Sequence, residues 1–419
     1  MSASGPVPTT SPAAGRAVFA SPFQRLNDLV AGIQPGKPPI VMAVGEPRHP
    51  VPGFVGPVLA GEIDGFGRYP AIKGTDAFRA AVAGWLGRRY GIEGRIDPAT
   101  MVLPLNGSRE GLFFAALEAR MSTAKSVPNP AILVPNPFYQ AYAAGCVAAG
   151  CEPVLVAAGA ATGFLPDPDA LDPALLARTV AMFFASPANP QGAVVSREGW
   201  QSLIELARRH DFVLLADECY SEIYRDRPPA GVLEAAAAMD GGFDRVVAFN
   251  SLSKRSNLPG LRCGFAAGDP AFLQRWAAFR NMAAPQVPNP VQAVAVAALA
   301  DEVHVIENRR LYNAKYEAAE RILGPRFGAV TPPGGFFLWL DVGHLAADGR
   351  DGGENAALAL WREAGVRTVP GGYLAAAGPD GRNPGADFLR VAMVDDLALT
   401  EEGLRRIAAV LAPPGHPSE

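Results

Sequence analysis

The stretch Ser251-Leu252-Ser253-Lys254-Arg255-Ser256-Asn257-Leu258-Pro259-Gly260-Leu261-Arg262-Cys263-Gly264-Phe265 places one lysine between serines directly after an apolar run, with an arginine eight positions further on. The run before it, Arg245-Val246-Val247-Ala248-Phe249, is β-branched and aromatic and reads as a buried strand. Lys254 therefore falls just past a strand's carboxyl end, where open α/β sheets hold their ligands. A loop lysine is ordinarily solvated. A buried one is costly to charge, tends to be neutral, and as a neutral amine can form a Schiff base with a carbonyl compound. A second apolar run, Phe212-Val213-Leu214-Leu215-Ala216, ends in Asp217-Glu218-Cys219-Tyr220. A carboxylate left unpaired there is strongly disfavoured by desolvation, so Asp217 calls for a cationic partner. Helix capping would explain Asp217 but not the tyrosine three residues on.

The chain has 419 residues, long enough for two domains with an extensive shared interface. Apolar residues make up 49% and charged residues 19%, so the 45 glycines and 40 prolines indicate turns in a folded protein rather than disorder. A formal net charge of -4 with scattered signs offers no basic stripe and argues against a nucleic-acid partner. Any anionic ligand must be bound locally. Cys146, Cys151, Cys219 and Cys263 have neither metal-ligand nor disulfide-framework spacing, so no metal site is expected and a reducing cytoplasm fits. The first fifteen residues lack a basic start followed by an apolar core, so neither a signal peptide nor a membrane anchor is expected.

Periodicity orders the rest. Residues 1–21 read as a flexible arm, Phe23 to Ile33 as an amphipathic helix, Pro39 to Val44 as a short strand and Thr75 to Tyr90 as a helix. From Met101 onward short apolar strands (Ala131 to Val134, Pro153 to Val156, Ala181 to Phe184) alternate with helical stretches, the pattern of a largely parallel sheet covered on both faces. Asp301 to Ile322 reads as one long helix, Gly334 to Leu340 as a strand and Glu354 to Ala364 as a helix. In Asn106-Gly107-Ser108-Arg109-Glu110-Gly111-Leu112 a glycine turn opens an apolar helix, whose first amides suit a phosphate, although many helices begin this way merely to cap themselves. Arg390 lies in the strand-like run Asp387 to Ala392; facing inward it needs an anionic partner, and on an edge facing water it needs none.

Taken together, the S-L-S-K-x(7)-R block, the D-E-x-Y block and Ser186-Pro187-Ala188-Asn189-Pro190-Gln191-Gly192 resemble the pyridoxal-phosphate aminotransferases of fold type I, class I/II. Gly45-Glu46-Pro47-Arg48-His49-Pro50, Pro135-Asn136-Pro137-Phe138-Tyr139-Gln140 and Asp217 to Tyr224 resemble more closely the succinyldiaminopimelate aminotransferases of bacterial lysine biosynthesis. The resemblance runs from about Pro22 to Leu411. It implies an α/β fold with a large cofactor-binding domain over residues 49–290, and a smaller α+β domain made of residues 22–48 and 291–419. It also implies pyridoxal 5'-phosphate as cofactor and a cytoplasmic homodimer.

Carried over by position, the resemblance makes Lys254 the residue that binds the cofactor covalently and then shuttles the substrate proton. Gly107, Ser108, Arg109, Ser251, Ser253 and Arg262 become the phosphate cradle, and Asp217 the partner of the protonated pyridine nitrogen. Asn189 and Tyr220 become donors to the ring's phenolic oxygen, and Tyr139 the aromatic on the ring face. Arg390 and Gly45 become the receptors of the amino acid α-carboxylate, and Tyr69 reaches the neighbouring subunit's phosphate. The implied reaction moves an amino group between N-succinyl-L,L-diaminopimelate and 2-oxoglutarate. Arg48 and His49, just after Gly45, are candidates for reaching the distal group, the alternative being a surface turn before Pro50. Two departures bear on that distal end. Arg280-Asn281-Met282-Ala283-Ala284 stands where the subfamily carries Tyr-His-Gly after an arginine, and Ala376 where an arginine often follows Tyr-Leu-Ala. An aspartate, alanine or aromatic aminotransferase, a lyase on the same fold, and a non-catalytic effector-binding domain are the alternatives.

Overall fold

The computed structural model describes residues 21–168 and 170–411. The arm expected over residues 1–21 lies outside them except for Ser21, whose side chain caps the helix Pro22–Leu29 by accepting from Gln24 N. In chain order the strands are β1 (Ile40–Val41), β2 (Val102–Leu105), β3 (Ala131–Asn136), β4 (Glu152–Ala157), β5 (Thr179–Ala185) and β6 (Val213–Asp217). Then come β7 (Val246–Ser251), β8 (Gly264–Gly268), β9 (Phe337–Asp341), β10 (Val366–Arg367), β11 (Val369–Pro370) and β12 (Phe388–Ala392).

The β-branched and aromatic runs form a seven-stranded sheet of order β2-β8-β7-β6-β5-β3-β4. Strands β7, β6, β5, β3 and β4 are parallel, and β8 is antiparallel to both neighbours. Alternate residues feed opposite faces. Leu133, Met182, Leu214 and Val246 pack with Trp85 and Trp200, whereas Ile132, Phe183, Leu215 and Val247 pack with Leu112 and Trp276. A sheet buried on both faces needs no polar alternation, which is why these strands read as continuous apolar runs. Strand β8, Gly-Phe-Ala-Ala-Gly, has almost no strand propensity. Its glycines admit close backbone approach instead: a Cβ on Gly268 would stand 2.1 Å from Val246 O, and one on Gly264 2.5 Å from Asn250 O.

The carboxyl-terminal part builds a three-stranded antiparallel sheet, β11-β12-β9, beside the parallel pair β1-β10. The long helix expected over residues 301–322 runs Val303–Phe327, displaced because Asp301 accepts from Val303 N at 2.7 Å at its start. The strand expected from Gly334 begins at Phe337, since Gly335 turns through a φ of +80° and Gly334 instead bridges Tyr224. The helix expected from Glu354 is capped by Asp351, spans Gly352–Ala359 and relaxes into a π turn over Leu360–Ala364. The first helix stops at Leu29, short of Ile33, and of residues 39–44 only Ile40 and Val41 pair as a strand. Among the described residues no helix is long and apolar enough to cross a membrane.

Candidate active site

Register places the carboxyl ends of β5, β6 and β7 side by side: Ala185 is opposite Asp217, and Asp217 opposite Phe249. Beyond them opens a cavity of about 710 Å³. Its walls include Gly45, Ser108, Arg109, Tyr139, Asn189, Asp217, Tyr220, Ser251, Ser253, Lys254, Arg262 and Arg390. Residues scattered from position 45 to position 390 are thus brought together.

Lys254 sits in a single helical turn, Leu252–Arg255, that follows β7 without a linker. Its Nζ donates to Gly45 O at 2.7 Å and lies 5.1 Å from the Phe336 ring centroid. Burial pulls the amine down to about 8, with Arg390 and Arg262 adding to the effect and Cys219 and Glu46 opposing it. A neutral amine is therefore accessible near physiological pH. Gly45 is required for packing, because a Cβ there would stand 2.5 Å from Phe337 Cζ.

Asp217 closes β6 and accepts twice, from the Tyr142 hydroxyl at 2.5 Å and from Cys219 N at 3.1 Å. Tyr142 is stacked on Phe183, with centroids 4.6 Å apart. Sequence reasoning missed Tyr142. Its signal was the spacing from Tyr139, three residues earlier and next to the helix Gln140–Ala148, which carries both rings to one side of the cavity. Tyr139 meets Tyr142 edge to face at 5.6 Å and accepts a hydrogen bond from Arg109 Nε.

One end of the cavity is cationic and rich in hydroxyls. Arg262 adopts a left-handed conformation (φ 54°), and its guanidinium donates to Pro259 O at 2.8 Å. Gly107 stands behind it without lining the cavity; φ is +82°, and a Cβ would lie 2.2 Å from Arg262 Nη2. The helix Ser108–Ser122 begins at this point, where first-turn amides have no acceptor within the helix. Ser251 and Ser253 complete the end, with their hydroxyls 3.0 Å apart.

Arg390 also lines the cavity and is 5% exposed. It donates to Ala43 O at 2.9 Å and to Asn189 Oδ1 at 3.4 Å, its Nε has no partner, and it lies 4.4 Å from the Phe337 ring centroid. Burial lowers its pKa to about 10, so it stays charged at neutral pH. No carboxylate is among these partners. Tyr220 closes this wall against Phe336 at 5.2 Å, its hydroxyl pushed well above the usual range by burial.

Several expected residues lie elsewhere. Tyr69 is 99% exposed and away from this cavity. Arg48 pairs with Asp395, and His49 is held between Asn308 and Lys315, so neither meets the cavity. Of the two departures, Met282 is exposed, while Ala376 exchanges backbone hydrogen bonds with the Asn136 side chain at 2.8 and 3.1 Å. Neither lines the cavity.

Residues 35–410 match the family described as aminotransferase class I and II. The chain is a class I/II aminotransferase. Enzymes of this family are generally pyridoxal-phosphate dependent. The aminotransferase is 31% identical over 397 residues to the LL-diaminopimelate aminotransferase of Syntrophobacter fumaroxidans, covering 92% of this chain and 95% of that one. It is 33% identical over 338 residues to the 4-dedimethylamino-4-oxo-anhydrotetracycline transaminase OxyQ of Streptomyces rimosus, covering 80% and 86%. A crystal structure of an aminotransferase from Neisseria meningitidis superposes with a TM-score of 0.87 at 36% identity, covering 94% of this chain and 98% of that one.

Proposed function

We propose that this aminotransferase holds pyridoxal phosphate between Arg262 and Asp217 and transfers an amino group from diaminopimelate to 2-oxoglutarate. The observation that carries the amino acid specificity is Arg390, a buried cation without a carboxylate partner, facing the same cavity as Lys254. The cavity's chemistry fits the cofactor part by part. The cationic, hydroxyl-lined end suits a phosphate, and Asp217 suits a protonated ring nitrogen. Tyr139 suits a ring face, and Asn189 and Tyr220 suit a phenolic oxygen. Tyr69 would serve a neighbouring subunit in a homodimer.

When bound, the cofactor supplies an electron sink for the charge left at the substrate α-carbon. The protein's residues do the rest. Arg390 fixes the α-carboxylate in a two-pronged grip, which orients the α-hydrogen. Lys254 Nζ accepts that proton and returns it, a task suited to an amine whose pKa is near 8. Tyr142 and the Cys219 amide hold the Asp217 carboxylate still while it stabilises positive charge.

For the donor, two observations favour free LL-diaminopimelate over the succinylated compound that the sequence suggested. Arg48 and His49, expected to meet a succinyl carboxylate, are engaged behind the cavity. Glu46 lines the cavity as its acidic residue other than Asp217 and suits a distal ammonium, which succinylation removes. Relatives named LL-diaminopimelate aminotransferase agree. The test is a donor panel with 2-oxoglutarate, following glutamate formation. LL-diaminopimelate should give the highest kcat/KM, and Glu46→Gln should lower it by about tenfold, the size of one charge-assisted contact, while leaving alanine unaffected. A higher kcat/KM for N-succinyl-LL-diaminopimelate restores the acyl-donor reading. A higher value for aspartate or phenylalanine removes diaminopimelate altogether.

The cradle makes its own prediction. Gly107→Ala forces Arg262 aside and places alanine in backbone space that costs about 1–3 kcal/mol. Cofactor affinity, measured by dialysis against pyridoxal phosphate, should fall by about tenfold or more, one lost charge-assisted bond. Unchanged affinity would separate Arg262 from the phosphate.

A further inference from the structure

The turn that carries Lys254 is gripped from behind by side chains that the mechanism leaves unused. Because Leu252–Arg255 is a single turn, its last carbonyls have no helical partner. Asn308 Nδ2 lies 3.2 Å from Lys254 O and 3.4 Å from Arg255 O. Since that nitrogen donates, Asn308 Oδ1 must accept, and it faces His49 Nδ1 at 2.7 Å. The network therefore assigns the proton to Nδ1 and leaves a lone pair on Nε2, which accepts from Lys315 Nζ at 2.6 Å. Lys315 also donates to Met393 O at 3.2 Å. Each member's role is fixed by the next, and a neutral His49 is the form that satisfies all of them. Burial and the adjacent Lys315 cation favour that form. Asn308 and Lys315 are 3% and 1% exposed, so water does not compete.

The same short segment touches Lys254 at both ends: Gly45 O accepts from its amine, and His49, through Asn308, steadies its carbonyl. The start of the helix Val303–Phe327 adds two further holds on the turn, His304 to Ser256 Oγ at 2.9 Å and Glu302 to Arg255 at 2.6 Å.

We propose that Asn308, His49 and Lys315 form a positioning relay that sets the placement of Lys254 for proton transfer. It rests on the reading of Lys254 given above. The relay touches neither substrate nor cofactor and acts through backbone position, where a displacement of about 1 Å at a reacting group costs on the order of a hundredfold in rate.

The test compares His49→Leu, Asn308→Leu and His49→Gln in the full-length holoenzyme. A glutamine amide can donate to Asn308 and accept from Lys315, so it replaces both functions of the neutral imidazole. The measurements are kcat, KM for the donor that the wild type uses, the pH midpoint of the bound cofactor's absorbance change, and thermal unfolding. The leucine variants should show about tenfold lower kcat with KM within about twofold, together with a displaced absorbance midpoint, and His49→Gln should restore both. If the leucine variants do not fold, Asn308→Asp, which turns an oxygen toward two carbonyls, replaces them with the same expectation. Lower unfolding temperature with unchanged kcat and midpoint would make the network merely structural and overturn the proposal. So would a His49→Gln as impaired as His49→Leu. Wild-type protein that binds pyridoxal phosphate but turns over no donor overturns the reading of Lys254, and the relay with it.

Discussion

Lys254→Ala is expected to lower steady-state transamination by on the order of 10⁴-fold, because the proposed mechanism makes this one side chain both the covalent anchor and the proton carrier. The cofactor should nevertheless stay with the protein through gel filtration. Arg262, Ser108 at the start of its helix, and Asp217, proposed to hold the phosphate and the ring nitrogen, line the cavity without relying on Lys254. The wild-type amine offers a second readout. In cofactor-free protein its reaction with an added aldehyde should rise with pH through a midpoint of about 8, rather than near the ordinary lysine value of 10.5. The sign follows from burial: desolvation penalises the charged form, so the neutral, nucleophilic amine gains population above that lowered midpoint. Turnover surviving in Lys254→Ala would remove the residue from the mechanism.

Asp217→Ala should act on chemistry rather than on binding. Removing the carboxylate also strips the Tyr142 hydroxyl and the Cys219 amide of their acceptor, and the adjacent Glu218 is already engaged by the Tyr90 hydroxyl and Val232 N. Loss of one preorganised charge of this kind costs on the order of 10²–10³ in rate. Single-turnover mixing with donor should show proton abstraction slowed by that order, with substrate KM changed by about twofold or less. An unaltered chemical step would leave Asp217 as a structural residue.

Much of this site was legible because its chemistry-bearing side chains fall where apolar strands end. Asp217 and Lys254 each close or follow such a run, and parallel pairing then makes those ends neighbours. Arg390 was readable as a charge in an apolar strand, although only the structure shows it to be buried. Arg48 and His49 were misplaced for a different reason. Their partners Asp395 and Lys315 lie 347 and 266 positions away, so no local pattern announces that both residues turn from the cavity. Strand β8 was invisible because its glycines serve neighbouring backbones rather than strand propensity. Tyr142 was overlooked because core packing accounts for a buried tyrosine equally well until its hydroxyl is seen on Asp217.

The hydrogen bond from Arg390 to Ala43 O spans 347 positions, whereas the seven-stranded sheet is complete at Gly268. During synthesis the strands that position Ser108, Asp217, Lys254 and Arg262 can pair well before β12 has left the ribosome, and contacts of such long sequence separation form late. A nascent chain therefore acquires the walls assigned to the cofactor first. It gains Arg390, proposed to hold the amino acid carboxylate, only after the long stretch between β8 and β12 has been made.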